Sequence, residues 1–356
     1  MSTDAVSGAV APAGGLFAAH DGAVRRRCVR LALLSLLLVA GVLADVLTGP
    51  SGLSVGDVLA ALSGMGDTDA AVEVIVRQVR LPTAILAVLV GASLSLAGAE
   101  MQTILRNPLA SPFTLGLSSA ASFGAALVIV LGVALPYVPD RFAVPAMAFA
   151  FAFSTVLVIQ LIGNRRSMPP GVLILFGIVM VFGFNALVAV IQFVAPADAL
   201  QQLVFWTMGS LGRADMWSNL LLGGVLLAVM PFSFRAARAL TVLELGRERA
   251  ESLGVSFARL RFGSLLRASL LAATAVAFSG TIGFVGLVGP HVARLLVGDH
   301  HRFLLPAAIL CGATVMSFAS IAAKLILPGV LLPIGIVTTL VGLPVFLLLL
   351  LRQWSR

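Results

Sequence analysis

The stretch ASLLAATAVAFSGTIGFVGLVGPHVARLLV, residues 268–297, decides how many times the chain crosses its surroundings. Its first half reads as an uninterrupted apolar helix. Its second half crowds Gly280, Gly283, Gly286, Gly289 and Pro290 together. Glycine and proline interrupt helices, and within a bilayer such a break survives only where the backbone is buried in protein. Taken as one span, 268–293 joins 31–49, 81–104, 114–135, 142–163, 171–195, 216–234, 303–326 and 330–351 to make nine charge-poor stretches. Taken as a span that turns near Gly283 and returns as a short helix through His291 to Leu296, it makes ten.

Charge chooses between the two. With ten spans, the inside regions 1–30, 105–113, 164–170, 235–267, 294–302 and 352–356 hold 18 of the 23 Lys and Arg. Arg77, Arg80, Arg141, Arg213 and Lys324 are left outside. With nine spans the split falls to 15 against 8. Inside loops carry the excess of basic residues, so ten spans are expected, with both termini cytoplasmic. The returning helix, about 18 Å long at 1.5 Å per residue, is too short to cross alone and must pack inside the bundle.

Composition agrees. The 356 residues are 60% hydrophobic and 11% charged, where soluble domains carry about a quarter charged residues. A cytosolic enzyme, a secreted disulfide scaffold and a disordered regulator are excluded. The +8 charge reports topology rather than nucleic-acid binding, because no basic run is interleaved with exposed aromatics. Cys28 and Cys311 sit in or beside apolar stretches and suggest no disulfide framework. His20, His291, His300 and His301 lack metal-site spacing. No metal or resident cofactor is expected. Residues 1–27 read as a disordered cytoplasmic tail, 28–352 as the transmembrane domain, and 353–356 as a cytoplasmic C-terminus. The Arg-rich flank and apolar core at 25–49 loosely fit a signal peptide, but every later segment is membrane-like too, which favours an uncleaved first span.

The chain also repeats itself. SLAGAEMQTILRNPLASP (95–112) and AFSGTIGFVGLVGPHVAR (277–294) pair Gly98 with Gly280 and Pro108 with Pro290. Both pass from a small-residue helix through glycine to a proline-marked break. With ten spans the two copies enter from opposite sides, so spans 2–5 and 7–10 form an inverted repeat, a recurring plan of transporters.

Five ordered motifs resemble FecCD-type permeases, the membrane subunits of ATP-binding-cassette importers for iron-siderophores, haem and cobalamin. They are RLPTAILAVLVGASLSLAGAEMQTILRNPLASPFTLGLSSAASFGAAL (80–127), FWTMGSLGRADMW (205–217), LTVLELGRERAESLGV (240–255), GTIGFVGLVGPHVARLLVGDHHRFLLP (280–306) and LPIGIVTTLVGLPVFLLLLLR (332–352). The resemblance covers about residues 28–352. It implies ten helices, a second permease copy or a related one, two cytoplasmic ATPases, and a periplasmic or lipid-tethered binding protein, in the bacterial inner membrane. It points to an iron-siderophore first, then haem and cobalamin. The chain has no G-x-x-x-x-G-K-[ST] loop, so ATP and magnesium belong to the partner and the chain is read as no enzyme.

Within the longest inside loop, 235–267, Leu245-Gly246 and Leu253-Gly254 bracket a short helix, RERAES. Arg247 and Glu251 can pair on its surface, while Ala250 and Leu253 leave a small apolar face for a partner's groove. The residues alone fit a solvated charged loop equally well. The resemblance assigns the ATPase contact to Glu244, Leu245, Gly246, Arg247, Glu248, Arg249, Ala250, Leu253 and Gly254, with Arg294, Asp299, His300 and Arg302 secondary to them.

Outside, the resemblance makes Arg80 and Lys324 docking cations for the binding protein's glutamates, with Arg77 standing in for a motif arginine replaced by Thr83. The plain alternative is an interfacial anchor. Glu100 reads as the one carboxylate in an otherwise uncharged span. It lies about 28 Å along its helix from Leu81, where pairing with Arg106 competes with a pathway role. A proton- or sodium-coupled transporter using Glu100 is the alternative of another class. Asn185 and Gln192 share a face of the fifth span and either line the pathway or bind neighbouring helices. Gly283 and Gly286 are further pathway candidates. Together with Gly91, Gly98 and Gly280, they also suit close helix contact and hinging.

Overall fold

The computed structural model describes residues 13–64, 69–165, 169–327 and 330–354. All regular structure among them is helical. In chain order it comprises α1 (Ala13–Leu47), α2 (Val55–Ser63), α3 (Ala70–Val74), a π-turn (Ile75–Arg80), α4 (Leu81–Ile104), a 3-10 turn (Pro112–Leu115), α5 (Leu117–Ile129), α6 (Asp140–Arg165) and α7 (Pro170–Val194). Then follow α8 (Ala197–Thr207), α9 (Met216–Leu243), α10 (Arg247–Ser252), α11 (Phe257–Ser279), α12 (Val285–Val297), α13 (His301–Leu325) and α14 (Ile334–Trp354).

Seven helical stretches are long and apolar enough to cross a bilayer: α1, the α3–α4 run, α6, α7, α9, α11 and α13. The shorter apolar helices α5, α12 and α14 complete ten. The turn expected in 268–297 lies at 280–284, between α11 and α12, where Gly280 takes φ 71° and Phe284 φ 66°. Gly280 ends α11 without a penalty, whereas Phe284 holds a left-handed conformation that L side chains resist.

Helix lengths recur between the halves. In the first, α4, α5, α6 and α7 have 24, 13, 26 and 25 residues; in the second, α11, α12, α13 and α14 have 23, 13, 25 and 21. Spans 2–5 and 7–10 thus repeat at the level of helix lengths. The residue pairing that suggested an inverted repeat does not hold. Gly98 lies inside α4 while Gly280 caps α11, and Pro108 lies in the break before α5 while Pro290 lies within α12.

The tail assignment also needs correction: α1 already begins at Ala13, so 13–27 are helical rather than disordered, and 1–12 lie outside the described residues. Likewise the inside loop 235–267 is mostly helix. Its irregular part is confined to 244–256 around α10.

The central helix is α4, mostly apolar, buried along most of its length and packed against α13, α11, α12 and α9. A helix so largely apolar belongs in a core. Its neighbours approach unusually closely. A Cβ at Gly98 would sit 1.8 Å from the Gly286 carbonyl oxygen of α12, and one at Gly91 would sit 2.2 Å from that of Gly312 in α13. Small residues let membrane helices pack backbone to backbone, and these contacts rely on them.

Candidate functional site

At the basic end of the bundle, α9 stops at Leu243, with Glu244 as its C-cap, and hands over to α10. Gly246 at φ 105° turns the chain into α10, and Gly254 at φ 85° turns it out. The Val255 N–H returns to Ala250 O at 2.9 Å, which closes the turn. Arg247 Nε donates to Glu251 Oε1 at 2.9 Å, the surface pair expected from their spacing. Ala250 is fully buried and faces the bundle, so it is not available to a partner as expected. The apolar groups turned outward are Leu245 (56% exposed) and Leu253 (65% exposed), flanking the exposed Glu248 and Arg249. Behind α10, the Phe257 ring lies between two guanidinium groups, Arg247 at 4.8 Å and Arg261 at 5.6 Å. The short helix is therefore held firmly at its back and open at its front.

Beside it lies a polar knot that sequence reasoning touched only at its edges. Arg294, near the C-terminus of α12, places Nη2 3.9 Å from Glu244 Oε1 and Nε 3.3 Å from Asp299 Oδ1. The same Nη2 donates to Thr103 Oγ1 of α4 at 3.3 Å. Thr103 Oγ1 meets His301 Nε2 at 2.8 Å, and the other face of that buried ring, Nδ1, meets Thr241 Oγ1 of α9 at 3.3 Å. Thr241 Oγ1 donates to Ala237 O and accepts from the His301 N–H at 2.9 Å. Thr103 Oγ1 also lies 3.1 Å from Ala99 O, so its one proton serves either that carbonyl or His301 Nε2. The ends of α4, α9, α12 and α13 are thus tied together. Burial pushes the Glu244 carboxyl above the usual carboxylate range, and the Arg294 charge works against that shift.

Towards the other end, three non-helical segments meet. A Cβ at Gly209 would lie 2.5 Å from Thr281 O, and one at Gly335 would lie 2.2 Å from Met208 O. Ser210 N donates to Ser279 O at 2.7 Å and Ile334 N to Gly209 O at 3.1 Å. Broken backbone is thereby satisfied inside protein rather than in lipid. Beside this junction lies a cavity of about 490 Å³, with Thr207, Met208, Thr281, Gly283, Gly335 and Thr339 in its wall. Gly283 lines this cavity. Gly286 does not, being buried against α4.

The outer cations require the largest correction. Lys324 is buried, with Nζ 2.7 Å from Asp45 Oδ1 and 2.8 Å from Asp45 O. Arg80, also buried, donates to Leu47 O at 3.0 Å, to Val46 O at 3.3 Å and to Ser51 Oγ at 2.7 Å. Both cations close the C-terminal end of α1, where unpaired carbonyls and the helix dipole favour positive charge. Neither is free to dock a partner. Arg77 remains half exposed, pairing with Glu73 at 2.9 Å and donating to Ala61 O. Arg141 and Arg213 are exposed and lie on the wall of a cavity of about 800 Å³ that also holds Gln201, Gln202 and Trp206.

Glu100 is buried and doubly held by Arg267 of α11, whose Nε donates to Oε1 at 3.0 Å and to Oε2 at 3.2 Å. Its partner is not Arg106, and the pair links α4 to α11 instead of facing a cavity. This removes the footing of a Glu100-coupled transporter. Nor is Glu100 alone, since Asp45 is a second carboxylate within a span; the acid inside 31–49 was a visible signal that a buried cation would have to meet it. Asn185 is exposed on α7, as are Phe182 and Phe193, and Gln192 is half-buried on the same helix.

A bundle of crossing helices broken inside its own core, with a short rigid helix held outside it, is the build of a polytopic membrane permease. Residues 36–352 match the FecCD transport family, and the chain belongs to that family. It is 38% identical to the hemin transport system permease protein of Yersinia pestis, over 77% of this chain and 82% of that one. To the Fe(3+)-citrate import system permease protein of Bacillus subtilis it is 35% identical, over 92% and 96%. A solved structure described as an inward-facing ABC transporter of metal-chelate type matches with a TM-score of 0.79 at 33% identity, covering 90% of this chain and 98% of that one. The chain is a permease subunit of an ATP-binding-cassette importer and not itself an enzyme.

Proposed function

We propose that the chain forms one of two membrane subunits that carry an iron chelate, an iron-siderophore foremost, into the bacterial cytoplasm. ATP is hydrolysed by a partner ATPase pair, and the chelate is delivered by a binding protein outside. The observation that carries this reading is α10: a helix too short to be stable alone, braced by Ala250 and Phe257, presenting Leu245, Glu248, Arg249 and Leu253. Apolar anchors with charges between them suit a groove on a soluble partner. At the outer end the docking role passes from Arg80 and Lys324 to the exposed Arg77, Arg141 and Arg213. Ferric and haem relatives support an iron-bearing cargo, and haem or cobalamin are the next candidates.

The test is reconstitution in nanodiscs with an ATPase and a binding protein encoded beside it. Hydrolysis stimulated by the loaded binding protein, and no longer stimulated in Glu248→Ala/Arg249→Ala, supports the reading. Uptake driven by an ion gradient in the chain alone sinks it. The same assembly, offered ferric siderophores, haem and cobalamin in turn, assigns the cargo.

A further inference from the structure

The importer reading leaves open how motion at α10 reaches the middle of the membrane. The polar knot and the broken segment lie at opposite ends of one element, α12, which at 13 residues is about 20 Å long. Its cytoplasmic end carries Arg294 and its other end begins at Phe284. Resting on the importer reading, we propose that α12 is the rod through which displacement of the coupling loop reaches the 490 Å³ cavity at its far end. Arg294 and Phe284 are its positioning residues.

Three observations carry this. First, Arg294 stands between two carboxylates on different loops and is fully satisfied by neither. Glu244 is 3.9 Å away, Asp299 is 3.3 Å away, and the buried Nε has no aligned hydrogen bond. Glu244 sits immediately before α10, so any shift of α10 changes the balance between those two pulls. A guanidinium whose contacts are all long loses little by moving between acceptors.

Second, α12 meets α4 and α13 partly through glycine, while Val285, Ala293 and Val297 of the same helix are buried. Gly286 lies against Gly98, and Gly289 lies against Ser95 and Gly312. Interdigitated ridges resist axial movement, and bare backbone surfaces do not.

Third, the far end is strained and wedged. Phe284 holds φ 66°, a conformation a bulky residue keeps only under outside constraint. Its Cβ lies where a Cβ on Gly342 of α14 would come within 2.5 Å, and its ring meets Phe346 edge-on at 6.5 Å. The preceding Gly283 lines the 490 Å³ cavity, together with Gly335 and Thr339 of α14. Axial movement of α12 therefore drives Phe284 against α14 and reshapes that wall.

The experiment uses the assembled importer in nanodiscs and reads substrate imported per ATP hydrolysed. Spin-label distances between the start of α12 and α14, with and without ATP, accompany it. Arg294→Ala and Phe284→Gly are expected to lower the import ratio about tenfold and to abolish the ATP-dependent distance change. Arg294→Lys, which keeps the charge, is expected to recover most of both. Thermal melting of each variant separates loss of coupling from loss of fold. Folded Arg294→Ala and Phe284→Gly complexes with a wild-type ratio overturn the proposal, and so does Arg294→Lys behaving as badly as Arg294→Ala. Failure of the wild-type chain to assemble with any ATPase overturns the importer reading first, and this one with it.

Discussion

Lys324 and Asp45, separated by 279 residues, form an ion pair in which the lysine side chain is 6% exposed and the aspartate not at all. The ammonium donates a second hydrogen bond, to the Asp45 carbonyl at 2.8 Å. Breaking one side leaves an uncompensated buried charge, so Lys324→Met should lower stability by about 3–5 kcal/mol. Lys324→Met with Asp45→Leu should recover most of that loss. Thermal unfolding in detergent measures both, and binding-protein affinity of the folded double variant should match wild type.

Docking, by contrast, should respond to the cations that remain in solvent. Arg141→Glu with Arg213→Glu is expected to slow association of the binding protein about tenfold at low salt, with the difference shrinking as salt rises. Association rates from surface-immobilised nanodiscs test this. An equal loss from the folded Lys324→Met/Asp45→Leu variant would restore the original assignment.

Burial separates these two sets of cations. Spans are legible because twenty apolar residues in a row have few other readings, and the break at 280–284 is legible because Gly280 and Pro290 cannot continue a helix. Burial of a particular charge is not local information. Arg80 finds its acceptors 33 and 34 residues earlier, and Glu100 finds Arg267 167 residues later. Proximity in sequence suggested Arg106 instead. The i,i+4 pair Arg247–Glu251 was readable for the opposite reason, its geometry being fixed by the helix. The inward turn of Ala250 was not, since six residues carry too short a pattern to show which side is packed.

Leu245→Ser with Leu253→Ser should leave the permease's own melting temperature within about 2 °C, because both side chains already face solvent. ATPase association should weaken 10-fold or more, on the order of one to two kcal/mol per buried leucine. Co-purification under increasing detergent wash is a sufficient measurement. Ala250→Asp should do the reverse and damage the fold before assembly is in question.

The raised Glu244 carboxyl has a sign that can be checked. Burial makes the folded protein hold this proton more tightly than the unfolded chain does. Its contribution is therefore complete below the unfolded pKa and is lost as pH rises through the folded value. Glu244→Gln imitates the protonated form. Relative to wild type, its melting temperature should gain as pH climbs above the ordinary carboxylate range, and the gap should close on acidification. A gap that widens in acid contradicts burial as the dominant cause.

Gly98→Ala is expected to cost at least about 1–3 kcal/mol, since the added methyl would lie 1.8 Å from Gly286 O and neither backbone can yield alone. A drop in melting temperature, rescued in part by no single change on α4, checks it.

The Asp45–Lys324 pair also imposes an order in time. The aspartate enters the membrane 279 residues ahead of its lysine, and at about 5–20 residues per second the wait is on the order of 15 s to a minute. A lone carboxylate inside a helix tolerates that interval only near the lipid headgroups. The first span thus settles against the ninth after synthesis of the last third of the chain, and the earliest part of the molecule to be made is among the last to reach its place.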